Sequence, residues 1–439
     1  MTDLTTSATN RRTLNTQDYK TLGLAALGGA LEFYDFIIFV FFSLVIGHLF
    51  FPQDMPQWLS QVQTYGIFAA GYLIRPFGGI VMAHFGDLFG RKRMFTLSIL
   101  LMALPTLLIG CLPTYQDIGY AAPLLLLLMR LCQGLAVGGE VPGAWTFVAE
   151  HVPKHRIGLA CGILTSGLSL GILLGSLIST LINMVFEGES MNTWGWRIPF
   201  IVGGIFGFLA MYLRRWLKET PIFIEMQQRK SSETVKRLPV LIVLRDHFPQ
   251  TLLSMLLTWI LSAGIMVVIL MAPIYLQKQV GFSAMQALQA NTLAIIGLIM
   301  SCTLYGALMD RFAIGKVFIV GSLIAVITIG CFYFSLASHP QLLFVTYPLA
   351  GFGVGVVGSF AYFMVKAFPT EVRYSGVSFS FNMAYAIAGG LTPLLLSIFT
   401  DLFNKLAPAF YVVSLFSLGA VIGVVLLCSQ HNYIAKDFD

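Results

Sequence analysis

The chain is 439 residues long, with 57% hydrophobic and only 10% charged residues and a net charge of +6. Soluble globular domains carry about 25% charged residues, so this composition excludes a soluble globular protein. The positive charge lies in particular loops and does not indicate a nucleic-acid partner.

Apolar stretches long enough to cross a bilayer recur along the whole chain. They predict an all-α membrane protein with twelve transmembrane helices, at residues 21–50, 59–85, 94–113, 121–149, 158–184, 197–217, 249–277, 285–309, 315–337, 341–366, 375–403 and 408–429. Residues 218–248 form the longest polar stretch. This stretch predicts a cytoplasmic linker between two six-helix bundles, an N-terminal one at 1–217 and a C-terminal one at 249–439.

The two predicted bundles resemble each other in sequence. Asp87 follows the second span and Asp310 follows the eighth, 223 residues later. Pro153 and Pro369 follow the fourth and tenth spans with a similar offset. A duplicated six-helix unit explains both spacings. It predicts pseudo-symmetric bundles with a binding site near mid-membrane between them, as in alternating-access transporters.

The basic residues predict the orientation of the chain in the membrane. Most Lys and Arg residues fall in loops on one side of the predicted bundle, and the other side holds only Arg197, Lys278 and Lys405. Cytoplasmic loops are the ones enriched in Lys and Arg. We therefore expect a multi-pass protein of the cytoplasmic (inner) membrane, a monomer in the lipid bilayer, with both termini in the cytoplasm.

Two acidic residues lie near the middle of the first span, Glu32 and Asp35. A carboxylate at the centre of a spanning helix costs roughly 2.5–3.5 kcal/mol on insertion scales, so such residues are usually functional. The two are three positions apart and share a face of the helix. Desolvation and mutual repulsion favour their protonated forms, which predicts proton uptake and release. The alternative is a structural ion pair with a buried arginine.

Three further charged residues lie well inside the first six spans: Arg75, Arg130 and Glu140. Glu140 is predicted to exchange protons together with Glu32 and Asp35. Arg130 is predicted either to anchor a substrate carboxylate or to act as the partner of the buried acids, because a guanidinium binds carboxylates with two parallel bonds. Arg75 either binds substrate or pairs permanently with Glu32.

Several motifs carry a family resemblance. They read Gly86-Asp87-Leu88-Phe89-Gly90-Arg91-Lys92 after the second span, Arg130-Leu-Cys-Gln133-Gly134 in the fourth, Glu32-Phe-Tyr-Asp35-Phe36 in the first, Gly71-Tyr-Leu-Ile-Arg75-Pro76-Phe-Gly78-Gly79 in the second, and Gln133-Gly134-Leu-Ala-Val-Gly138-Gly139-Glu140 in the fourth. The first two resemble motifs of the major facilitator superfamily. The others are similar to its metabolite:proton symporters, which carry proline and betaine, citrate, 2-oxoglutarate or shikimate.

The resemblance implies the major facilitator fold and adds candidate residues. Spans ten and eleven line the cavity in that family, which points to Tyr362, Asn382 and Tyr385 as substrate-binding residues. Tyr34 and Trp259 complete the predicted substrate set. Gating of the cytoplasmic side is predicted for loop charges that would meet helix ends of the other bundle: Asp87, Arg91, Glu150, Arg156, Asp310, Arg311, Glu371 and Arg373. The alternative for these charges is a plain basic excess on the cytoplasmic side.

These observations favour a secondary active transporter over an enzyme. We expect import of a small organic anion or zwitterion, a carboxylate or betaine-like metabolite, by proton symport. The alternative is a proton-coupled exporter or antiporter of amphipathic compounds. The six cysteines fall inside apolar spans without metal-ligand spacing, so neither a metal nor a cofactor is expected.

Overall fold

The architecture is described from a computed structural model, which covers residues 14–79, 91–138, 140–214, 239–429 and 433–435. Within these ranges the chain is helical, with no strand. We label its long helical segments α1 to α12: α1 Thr16–Phe41 with its continuation Ser43–Phe50, α2 Gln57–Leu73 with its continuation 75–79, α3 Arg91–Cys111, α4 Ala121–Val137 with its continuation Glu140–His151, α5 Ile157–Val185, α6 Arg197–Arg214, α7 Phe248–Val280, α8 Ala284–Met309, α9 Ile314–Ser338, α10 Pro340–Ala367, α11 Arg373–Leu402 and α12 Ala407–Ser429.

These segments match the predicted spans to within a few residues. Ten of the described helices are long and apolar enough to cross a membrane, and Leu100–Cys111 within α3 is a shorter apolar helix. The second predicted span is described only as far as residue 79. The linker prediction for 218–248 falls mostly outside the described residues, and the short helix Pro239–Asp246 is its described part. The division into two bundles therefore stays a prediction.

The helices run antiparallel in sequence order. We call the end of the molecule where α1 begins and α12 ends the near end, and the opposite end the far end. Contacts between the first six and the last six helices are made chiefly by α5 with α8 and by α2 with α11.

The contact between α5 and α8 is lined by small and hydroxyl-bearing residues. A Cβ atom added to Gly162 would lie 2.7 Å from the carbonyl oxygen of Cys302, so only glycine allows this approach. Further along the same contact, Ser166 Oγ lies 2.8 Å from Thr303 Oγ1 and Ser176 Oγ lies 2.8 Å from Thr292 Oγ1. Small residues allow helix backbones to approach closely in a membrane, where no hydrophobic force holds helices together.

Several helices depart from regular α-helical geometry. In α7, residues Gly264–Met271 and Leu276–Val280 are π-helical, and Tyr385–Gly389 form a π-helical turn in α11. In α10, Gly355–Ser359 form a 3-10 turn. Such turns leave the regular hydrogen-bond ladder and often mark functional positions in a helix. Hydropathy alone predicted these spans as continuous helices.

Candidate functional site

Asp35 lies on α1 inside the first six helices and has no exposed surface. It faces α6: a Cβ atom added to Gly203 would lie 2.8 Å from Asp35 Oδ1, and one added to Gly207 would lie 3.0 Å from Asp35 Oδ2. Neither carboxyl oxygen has a hydrogen-bond partner among the described residues. A buried ionised carboxylate without a partner is strongly unfavourable, so this position suits a group that carries a proton.

Arg130 on α4 is fully buried and begins a chain of hydrogen bonds that points towards Asp35. Its Nη1 donates to Gln133 Oε1 at 2.8 Å, and Gln133 Nε2 donates to Thr106 Oγ1 at 2.6 Å. The methyl group of Thr106 and the carboxyl of Asp35 both border Gly203, at 2.9 and 2.8 Å from a Cβ atom added there. The hydrogen bonds from Arg130 thus reach Thr106, whose methyl group lies in the neighbourhood of Asp35, without a hydrogen bond to the carboxyl itself.

Aromatic rings surround the guanidinium of Arg130. Its central carbon lies 4.4 Å from the ring centroid of Phe39 and 5.2 Å from that of Phe68. Aromatic faces attract cations, and the attraction is stronger at desolvated sites. The rings therefore help to keep a positive charge at this depth of the membrane.

Arg75 forms a second cluster, about two turns further along α2 than Phe68. It is 2% exposed, and its guanidinium lies 3.9 Å from the ring centroid of Tyr72 and 5.4 Å from that of Tyr385. Tyr72 and Tyr385 stack on each other with centroids 5.4 Å apart. Because Tyr385 belongs to α11, this cluster joins the first six helices to the last six.

Asn382, one turn before Tyr385, adds a polar contact at the same place. Its Nδ2 donates to the carbonyl of Gly138 in α4 and to the carbonyl of Ser378 at 2.9 Å. Glycine allows close approach at this position, since a Cβ atom on Gly138 would lie 2.5 Å from the carbonyl oxygen of Arg75. Asn382 and Tyr385 therefore meet Arg75 and α4 at one site.

One of the other predicted proton residues, Glu140, lies near Arg75. Glu140 and Arg75 line the same small cavity among the first six helices, together with Gly29 and Phe33 of α1. The side chain of Glu32 lies outside the described residues. Its predicted pairing with Asp35 or with Arg75 therefore stays a prediction.

Of the other predicted substrate residues, Trp259 and Tyr362 lie apart from these clusters, whereas the ring of Tyr34 borders Gly203 beside Asp35, with Cε1 3.1 Å from a Cβ atom added there. Tyr34 is buried against α6, where its hydroxyl donates to the carbonyl of Pro199 at 2.9 Å. Trp259 is 40% exposed, and its Nε1 donates to Tyr411 Oη of α12 at 2.7 Å. Tyr362 lies towards the near end, with Lys366 Nζ 4.6 Å from its ring centroid. Their substrate roles stay predictions to which these contacts add no support.

At the near end, two polar contacts cross between the first six and the last six helices. Arg373 Nη1 lies 3.2 Å from Glu150 Oε1. Asp310 accepts the backbone N–H groups of Gly158 at 2.7 Å and Leu159 at 3.0 Å, at the start of α5. Burial raises the pKa of the Asp310 carboxyl, while these two donors act to lower it.

The other predicted gating residues divide into two groups. Arg311 and Glu371 are exposed and Arg156 is half-buried. Asp87 and the side chain of Arg91 lie outside the described residues. The gating prediction therefore has geometric support at Glu150, Arg373 and Asp310.

Sequence reasoning named Tyr385 but missed Phe39, Phe68 and Tyr72 as aromatic partners of the two arginines. Phe68, Tyr72 and Arg75 are spaced four and three positions apart on α2 and therefore share one helix face. Phe381 and Tyr385 are spaced four apart on α11, and their centroids lie 4.9 Å apart. The spacing of these residues indicates that the rings share one face of each helix. The sequence does not indicate which rings meet across helices, because the partners are distant in sequence.

Comparison with known proteins identifies the family to which this chain belongs. Residues 24–393 match the model of the Major Facilitator Superfamily. A putative proline/betaine transporter of Staphylococcus haemolyticus is 32% identical, over 93% of this chain and 87% of the relative. The proline/betaine transporter of Salmonella typhimurium is 30% identical, over 92% and 82%. A glycine betaine/proline/ectoine/pipecolic acid transporter of Dickeya dadantii is 30% identical, over 93% and 83%.

A solved structure gives the same fold. The proton:xylose symporter XylE, bound to 6-bromo-6-deoxy-D-glucose, aligns with a TM-score of 0.75 over 93% of this chain and 95% of its own. The sequences are 18% identical, so the likeness concerns the fold alone. The predicted twelve-helix arrangement is confirmed.

Proposed function

Because this chain belongs to the major facilitator superfamily, we propose that it imports a small zwitterion or organic anion by proton symport. The proline and betaine named for its relatives are small zwitterions, which agrees with a site that holds buried charges. Import would proceed by alternating access between the two predicted bundles. The near end would face the cytoplasm, with both termini there, and the functional unit would be the monomer.

The observation that carries this proposal is Asp35. Its carboxyl is fully buried and has no described hydrogen-bond partner. The ionised form would be an isolated charge in hydrocarbon surroundings, which costs several kcal/mol. The proposal is that Asp35 takes up a proton before its surroundings close and gives it up when water reaches it again. That cycle ties closure of the helices to the proton gradient.

Arg130 is the proposed link between proton and substrate. Its guanidinium can donate hydrogen bonds to a substrate carboxylate, and its bonds through Gln133 reach Thr106, which borders Gly203 together with Asp35. A carboxylate on Arg130 would lessen the attraction between Arg130 and an ionised Asp35. Substrate binding and protonation would then favour each other. This coupling is reciprocal, as linkage requires.

Proteoliposomes with an imposed proton gradient test the proposal. Wild type should accumulate labelled proline or glycine betaine, and Asp35→Asn should lose gradient-driven accumulation while retaining counterflow between equal pools of substrate. Asp246→Asn, a mostly exposed carboxyl on the short helix Pro239–Asp246, is the matched control and should accumulate as wild type does. Full accumulation by Asp35→Asn removes this carboxyl from the mechanism. Gradient-driven expulsion of an amphipathic cation by wild type would establish the exporter alternative instead.

A further inference from the structure

A cleft at the far end lies between α2 of the first six helices and α7, α9 and α11 of the last six. Its lining combines apolar side chains, three tyrosines and two opposite charges, with Tyr65, Tyr275, Tyr333, Lys278 and Asp401 as the residues that matter here. None of these belongs to the Arg75 or Arg130 clusters. The cleft is therefore a separate polar feature with chemistry of its own.

The two charges are close but not in tight contact. Lys278 Nζ and Asp401 Oδ2 are 4.0 Å apart, and the side chains are 19% and 20% exposed. A well-formed ammonium–carboxylate hydrogen bond is about 2.7–2.9 Å long. The other oxygen of Asp401 accepts a bond from Gln279 Nε2 at 3.0 Å. The ammonium group of Lys278 thus keeps donors for a second partner.

Tyrosine rings border the charged pair. Tyr275 and Tyr333 meet edge to face with centroids 5.4 Å apart, and Tyr65 of α2 is 2% exposed. Faces of tyrosine rings attract organic cations, including quaternary ammonium groups, which cannot donate strong hydrogen bonds. An ammonium beside Asp401 would therefore have both a counter-charge and rings for its apolar surface.

We propose that this cleft is a second binding site, which takes a small zwitterion before it reaches the Arg75 and Arg130 clusters. The carboxylate of the ligand binds Lys278, and its ammonium binds Asp401 and the tyrosine rings. A simple anion meets repulsion from Asp401, and a simple cation meets repulsion from Lys278. The cleft thus selects molecules that carry both charges, and this selection rests on the proposed transport function.

The face of α2 connects the cleft with the central clusters. Gln61, Tyr65, Phe68, Tyr72 and Arg75 follow one another at spacings of three or four residues, so they lie along one side of the helix. At 1.5 Å per residue, Tyr65 and Tyr72 are about 10 Å apart along the axis. These side chains are all buried, so they form one stripe of packed aromatic and polar groups between the far-end cleft and the central clusters.

Ligand competition on purified protein tests the selection. Thermal stabilisation should be produced by glycine betaine and by proline, and not at the same concentrations by choline or pivalate, which carry only one of the two charges. Lys278→Gln and Asp401→Asn should each raise the KM for betaine uptake about tenfold or more, with little change in the maximal rate. Lys405→Gln, another basic residue at the far end, is the matched control and should leave KM unchanged.

The double variant Lys278→Asp with Asp401→Lys is the control for a folding defect in the two single variants. This double variant restores the ion pair with the two charges exchanged. It should recover thermal stability without recovering wild-type KM, because the ligand binds Lys278 and Asp401 in a fixed orientation. Wild-type KM in Lys278→Gln and Asp401→Asn, while wild type accumulates betaine, would overturn the second site and leave symport standing. Absence of gradient-driven uptake of any zwitterion or carboxylate by wild type would overturn the proposed function itself.

Discussion

Two helix crossings lie at equivalent places in the first six and the last six helices, α2 with α4 and α8 with α10. A Cβ atom on Gly134 would overlap the carbonyl oxygen of Gly71, and one on Gly351 would overlap that of Ala294. Gly71 and Ala294 are 223 residues apart, the same offset as between Asp87 and Asp310. This close backbone contact therefore occurs at equivalent places in both halves of the chain.

The side chains beside these crossings differ. In the first crossing the guanidinium of Arg130 lies over the ring of Phe68. At the corresponding place in the second, Tyr347 Oη donates to Asn291 Oδ1 at 2.6 Å. Both pairs are buried, but only the first carries a charge. Both halves therefore share the close backbone contact, while the charge that we propose for coupling lies in the first half alone.

The largest effect expected from this comparison follows substitution of the charged member. Arg130→Gln should lower gradient-driven uptake by about a hundredfold, because hydrogen bonds to charged groups contribute up to about 3 kcal/mol. Tyr347→Phe should lower uptake less than about tenfold, since it removes one neutral hydroxyl. Initial uptake rates in proteoliposomes measure both. Equal losses of uptake rate in the two variants would mean that the two crossings contribute equally to transport.

The next effect concerns stability and should be similar in both crossings. Gly134→Ala and Gly351→Ala each force a methyl group against a carbonyl oxygen, and overpacking of this kind costs about 1–3 kcal/mol. Thermal unfolding in detergent should show comparable decreases in midpoint for the two variants. Gly66→Ala on α2 is the control, because a Cβ there meets nothing within 4 Å. A decrease in only one variant would contradict the shared packing.

The smallest effect is expected at the near end. Asp310→Asn weakens the cap on α5, and loss of a charge at a helix start costs about 1 kcal/mol. The population open at the near end should rise about fivefold. Spin labels on His155→Cys and Phe312→Cys, both exposed, report the distance between the two sides. Glu371→Gln, exposed and without a described bond across the helices, is the comparison variant, and an equal shift there would argue against a specific latch.

The sequence predicted the helices and the buried charges well, for physical reasons. Long apolar runs have one stable outcome in a bilayer, and a charge inside such a run must find a polar interior. Arg75, Arg130 and Asp35 are all buried as expected. Asn382 and Tyr385 were selected through the family resemblance, and they do reach the Arg75 cluster.

Other features depend on contacts that no local pattern encodes. The far-end pair of Lys278 and Asp401 joins positions 123 residues apart, and each looks like an ordinary helix-end charge in the sequence. The π-helical turns of α7 and α11 lie inside apolar runs that hydropathy does not distinguish from a regular α-helix. The position of Trp259 in the middle of a predicted span suggested that it lines the substrate pocket. In the structure its Nε1 donates a hydrogen bond to Tyr411 of α12.

The glycine and hydroxyl contact between α5 and α8 has a mechanical consequence. No large side chain interlocks the two helices at Gly162 and Gly306, so one can roll on the other without first withdrawing a knob from a hole. The hydroxyls of Ser166 and Ser176 are also bonded to backbone carbonyls of α8, at 2.9 and 3.3 Å, so each has an alternative acceptor during such a movement. The contact between α5 and α8 can therefore act as a pivot for the two helices, at which the hydroxyls of Ser166 and Ser176 keep a hydrogen-bond acceptor during the movement.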